Sequence, residues 1–205
     1  TVQDIYNSNY RFPPPPKKPT LTAISGNNQV TLYWDRVAEE SLDPVTKEKD
    51  FQGYKIYRAT DPNFNDVRNI TDANGLIQGY STLQQFDKDD DINGYFYPSK
   101  NLFQDTKGYT FFLGDDTGLV HSYIDRDVQN GRTYYYALVA YDHGNEEKDI
   151  FPSENSKFIS VLPSGEIVTD QNTAFVIPSS ASAGYSLNDT IPVSYTHLRA
   201  HETVS

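Results

Sequence analysis

The 205-residue chain has a formal net charge of −11, no cysteine and 37% hydrophobic residues. The lack of cysteine excludes a disulfide scaffold, and the acidic balance argues against a nucleic-acid partner, which needs a basic footprint. No apolar run approaches the ~20 residues that span a membrane, so no transmembrane segment is expected.

Sixteen Tyr, 11 Phe, 12 Gly and 12 Pro around one Trp suit an all-β domain with many turns. The chain begins at Thr1, shows no signal peptide, and reads as an internal piece of a longer protein. Residues 1–18 are expected to end a preceding module, with Pro13 to Pro16 as an extended, semi-rigid spacer. Strands follow at 21–25 and 29–35, around a Gly26-Asn27-Asn28 turn. In the second, Val30, Leu32 and Trp34 alternate with polar neighbours and Tyr33, the period of a half-buried strand. The charged run 39–50 is a loop, and 53–60 (GYKIYRAT) is a third strand presenting Tyr54 and Ile56 on one side.

The strongest β signal is 131–142, GRTYYYALVAYD. Tyr134, Tyr136, Leu138 and Ala140 share one side of an extended chain; Tyr135, Ala137, Val139 and Tyr141 share the other. Asn130-Gly131 marks the turn that starts it. Together, the proline-led first strand, V-x-L-x-W, GYKIYR and SYIDRDVQNGRTYYYALVAYD resemble a fibronectin type III domain, an immunoglobulin-like β-sandwich, over 19–162. The resemblance implies that Trp34 packs in the core and that Tyr134 contacts the preceding loop. The usual Leu-x-Pro-Gly before that Tyr stands here as Val128-Gln129-Asn130-Gly131. Residues 156–162 would then be the last strand.

The departure from the family is a long insert between its strands C and E, about 61–118, with a hairpin expected at Asn74-Gly75. Loops of this length are often functional. Beyond 162, short strands at 165–170 and 173–178 and a flexible SSASAG stretch at 179–184 read as a linker or the start of a next module, over 163–192. The arrangement is similar to sandwich modules in large secreted or surface proteins of Bacteroidota-like bacteria, many exported by the type IX system. The end, 193–205, contains VSYTHLRAHET, which resembles a translated sequencing-adapter sequence. With it go His197 and His201, whose spacing would otherwise suggest a helical metal pair.

The chemistry is sparse. Asp89-x-Asp91-x-Asn93-Gly94, with Asp87 nearby, matches the first half of a calcium loop, but Lys100 stands where a bidentate Glu is wanted. A solvated acidic loop explains the run more simply. The run from Asp61 to Asp66 reads as turn-forming Asx residues. Tyr95 and Tyr97 are candidate glycan contacts, against the plainer reading that insert aromatics build a small core. His121 and His143 read as loop residues. Cysteine, a phosphate loop and a nucleophile elbow are all missing, so no catalytic residue and no cofactor is expected.

The expectation is therefore a non-catalytic spacer or adhesion module of an extracellular or cell-surface bacterial protein. Its partners would be neighbouring domains of the same chain and a glycan or protein at the cell surface. Alternatives are a carbohydrate-binding module, a calcium-stabilised adhesion module, or an accessory domain of a secreted hydrolase. Trp34, Tyr54, Ile56, Tyr134, Tyr136 and Leu138 are expected in the structural core.

Overall fold

The computed structural model describes residues 13–44, 47–71, 75–97, 110–148 and 150–180. Among these residues the chain is all-β, its only helical element a 3-10 turn at Asn65–Val67. The adapter-like tail with His197 and His201 lies outside the described residues, as do Lys100, Phe103 and Tyr109.

Numbered along the chain, β1 (Leu21–Gly26), β2 (Gln29–Trp34) and β9 (Ser122–Asp125) form one antiparallel sheet in the order β1-β2-β9. Asn28, at φ +49°, makes the tight turn between the first two, a conformation that Asn tolerates better than most residues. The second sheet has the order β13-β10-β3-β6, from Thr173–Val176, Tyr134–Asp142, Phe51–Ala59 and Gln84–Asp87.

One apolar cluster joins the two sheets. Leu21, Val30, Leu32 and Trp34 come from the first, and Tyr54, Ile56, Tyr136, Leu138 and Val176 from the second. Trp34 lies 5.9 Å from the Tyr54 ring and 6.1 Å from Phe86. Burial of each such side chain stabilises the fold by about 1.5–3 kcal/mol. All six expected core residues are buried, and Tyr54, Ile56, Tyr136 and Leu138 are fully so.

At one end of this core Arg58 of β3 donates through Nη1 to both carboxylate oxygens of Asp125 on β9, each at 3.0 Å. Tyr136 of β10 donates its hydroxyl to the same carboxylate at 2.8 Å. Asp125 is 1% exposed, so its charge is held inside the protein by these partners and by the Asp127 amide.

Strands β3 and β10 are buried on both faces. Their outer side is covered by two further groups. Tyr57, Ala59, Tyr135, Ala137 and Val139 pack with Phe64 and Ile159; Tyr141 packs with Phe96, Phe111 and Leu113. A third layer thus lies on the second sheet. It is built from the short hairpins β7 (Gly94–Tyr95) with β8 (Phe112–Gly114) and β11 (Ile159–Val161) with β12 (Ile167–Thr169). The expected hairpin around Asn74-Gly75 appears as β4 (Ile70–Thr71) paired with β5 (Ile77–Gly79).

Two expectations need correction. The strand hydrogen-bonded to β10 on the side away from β3 is β13, at Thr173–Val176, and not 156–162. Asn172 explains the choice: its side chain donates to Leu138 O at 2.8 Å and Ser156 O at 3.1 Å, while Leu138 N donates to its carbonyl. Residues 156–162 instead supply β11, whose Ile159 covers the outer face. The segment 163–178 is thereby an integral part of the fold rather than a linker. Within the insert, β6 extends the second sheet beside β3.

The proline run also reaches the body of the protein. Pro16 and Pro19 are buried, the Asn155 amide donates to Pro16 O at 2.5 Å, and Lys17 N donates to Ser41 Oγ at 2.7 Å.

Candidate functional site

The exposed side of the insert begins at the acidic turn after β6. Asp87 is fully buried, and its carboxylate accepts hydrogen bonds from Asp116 N at 2.7 Å, Thr117 N at 3.1 Å and Thr117 Oγ1 at 2.6 Å. Gly114, at φ +142°, makes room for it: a Cβ there would stand 2.2 Å from the Asp87 carboxyl carbon. Asp116 then accepts from the amides of Asp90, at 3.3 Å, and Asp91, at 3.1 Å, and from the Asn93 side chain.

The four calcium candidates are therefore divided. Asp87 points inward at the 116–117 turn, Asn93 donates its amide to Asp116, and Asp89 and Asp91 lie exposed. Among the described residues no three His, Cys, Asp or Glu side chains group as metal ligands. The second oxygen-rich run bonds locally. Asp61 accepts from the amides of Asn63 and Asn65, both at 3.2 Å, and Asp66 accepts from Thr60 N at 2.7 Å.

Along 95–97 the side chains alternate. Tyr95 is 51% exposed, Phe96 fully buried and Tyr97 67% exposed. Phe96 contacts Phe151 at a ring distance of 5.1 Å, and Tyr95 leans on Phe112 at the same distance. Tyr97 N donates to Glu146 Oε1 at 3.0 Å, tying the hairpin to the turn after β10. A shallow cleft of about 220 Å³ lies there, lined by Ile92, Phe96, Leu113 and His143 with the 144–147 turn. Among the described residues the insert aromatics thus divide between an inner layer and the exposed rings of Tyr95 and Tyr97. Tyr80 meets the Tyr57 ring edge-on, and Phe86 packs on the core.

Beneath the third layer sits Lys55, a residue that sequence pattern did not single out. Its Nζ lies 3.6 Å from the centre of the Phe111 ring and 3.4 Å from Glu154 Oε2. Burial lowers its pKa, against the attraction of Glu154. Its place opposite Val139 on the outer side of the sheet was the available sign: a lysine at an otherwise apolar position.

His121 departs from a free loop residue. Its Nε2 contacts Glu39 Oε1 at 2.5 Å, and Tyr54 donates its hydroxyl to the same oxygen at 3.1 Å. The Tyr134 hydroxyl accepts from Gln129 N at 2.9 Å, a contact back to the preceding loop. Compared with protein-family models, with curated proteins and with solved structures, the chain matches none. No helix among the described residues is long and apolar enough to cross a membrane.

One buried acid gives a pH test. Asp142, at the end of β10, accepts from Ser153 N, Ser153 Oγ and Gly144 N. Burial nevertheless pushes its carboxyl up to about 6, with the Asp50 charge adding to the effect. The protonated form is favoured in the fold, so its contribution is full below about pH 4 and is lost as pH rises through about 6. Asp142→Asn should therefore gain stability relative to the parent between pH 4.5 and 7.5, by roughly 1–2 kcal/mol in urea titrations. A difference that stays flat across that range would refute the assignment.

Proposed function

We propose that this chain is a non-catalytic structural and interaction module of the fibronectin type III kind, within an extracellular or cell-surface bacterial protein. The observation that carries the reading is the pair of sheets β1-β2-β9 and β13-β10-β3-β6 over one core containing Trp34 and Tyr54. The Gln129 N to Tyr134 hydroxyl bond supports it, since a tyrosine corner of this form accompanies sandwiches of the immunoglobulin class. Fold alone does not assign an activity. What favours a spacer is the third layer, which covers the outer face of β3 and β10 and joins the insert to the central strands.

Pulling the chain from its two ends tests this. The sheets and third layer are expected to give way in one event. That event releases about 160 residues at ~3.5 Å each, roughly 560 Å of contour less the folded end-to-end span. A separate early event for the insert would show that the third layer carries no load.

Carbohydrate contact at the 94–97 hairpin is the second reading, favoured by the exposure of Tyr95 and Tyr97. Binding to a neutral-glycan array that disappears with Tyr95→Ala and Tyr97→Ala would select it over the spacer.

A further inference from the structure

We infer that a cleft beside the β9–β10 connection binds a sugar acid through Arg126 and Arg132, which names a ligand class for the interaction module proposed above and rests on that reading. The cleft holds about 360 Å³, near the lower end of small-ligand sites, and lies far from the hairpin tyrosines in sequence. Its lining includes three arginines, Arg58, Arg126 and Arg132, in a chain whose formal charge is −11.

The three are not equivalent. Arg58 is committed to Asp125 and Asp127: Nη1 also donates to Asp127 O at 2.6 Å, and Nη2 donates to Asp127 Oδ2 at 2.9 Å. Arg126 and Arg132 are exposed and form no ion pair among the described residues. Arg132 is held over the Tyr134 ring, 5.7 Å from its centre, with Arg58 5.9 Å from the same ring. Tyr134 is itself fixed by the Gln129 amide, so the stacking surface is rigid.

The carboxylates in the cleft define the ligand. Asp66 and Asp127 line it too, and with Asp125 behind Arg58 the formal charges balance. A dianionic phosphate or sulfate would meet both acids. A uronic-type sugar presents one carboxylate, which two guanidinium forks recognise in-plane. Its hydroxyls donate to Asp66 and Asp127, while Thr60 and Gln129 supply further polar groups.

Calorimetric titration of the whole chain with methyl galacturonide, which carries one carboxylate, with the neutral methyl galactoside and with inorganic sulfate tests the inference. The acidic sugar should bind and the neutral one should not. Arg126→Gln and Arg132→Gln should each weaken binding at least about tenfold, the scale of a lost charge-assisted hydrogen bond. Both side chains are exposed, so thermal midpoints should move little, Arg132→Gln by no more than the loss of its contact with the Tyr134 ring. Tyr95→Ala with Tyr97→Ala should leave the affinity unchanged. No binding of the acidic sugar, equal binding of sulfate, or full affinity in both arginine variants would overturn the cleft. A fragmented unfolding trace under force would instead count against the module reading, whatever the cleft binds.

Discussion

Trp34→Ala is expected to lower the unfolding free energy by about 3–5 kcal/mol, the cost of removing a large buried aromatic and leaving a cavity. The indole is 6% exposed and stands between the two sheets, with Tyr54, Phe86 and His121 around it at 5.9–6.5 Å. Neighbouring groups are ill placed to fill the space. Tyr54 is held by its hydroxyl bond to Glu39, and Phe86 belongs to a paired strand. Tyr33→Ala is the matched control: one residue earlier, on the opposite face of β2 and 47% exposed, it should cost under about 1 kcal/mol. Urea denaturation of both variants reads the difference. Equal losses, or an unchanged transition for Trp34→Ala, would mean that β2 does not present that face to the core.

Arg58→Met should be nearly as damaging, at about 3–5 kcal/mol, because it strands a charge inside the protein. Asp125 would keep the Tyr136 hydroxyl and the Asp127 amide but lose the guanidinium that faces both of its oxygens. The informative comparison is the double variant Arg58→Met with Asp125→Leu. Replacing a buried ion pair by apolar side chains of similar size is often neutral. The pair should therefore recover part of the loss, the remainder being the buried Tyr136 hydroxyl left without its acceptor, and give a coupling outside the additive range. Additive losses would show that Arg58 acts through its packing on Tyr134 rather than through Asp125.

Much of the central sheet was legible in the residues. In 134–141 the apolar side chains fall on both sides of an extended chain, and both sides are buried. That pattern already required a covering layer on each face, since a half-exposed strand would alternate with polar residues. The V-x-L-x-W strand was legible for the complementary reason: its alternation is that of one buried and one open face. Asp61 to Asp66 was readable as turn chemistry, because short Asx side chains reach their own backbone.

The closing strand was not readable. ISV at 159–161 and TAFV at 173–176 are both short and mostly apolar, and local propensity does not choose between two such segments. The Asn172 bonds to Leu138 and Ser156 make the choice, and they exist only once β10 is in place. The same holds for the arginine cleft. Arg58 stands on β3, Arg126 and Arg132 on the approach to β10, and only the pairing of those strands with their sheets brings the three to one opening. By itself the sequence determined the β class, the faces of the central strands and the position of Trp34, because strand periodicity and side-chain polarity are local properties. The tertiary structure decided which short strand closes the second sheet, which segments cover its outer face and which distant charges share a cleft. Those outcomes depend on contacts between residues far apart in the chain, which neither spacing nor composition records.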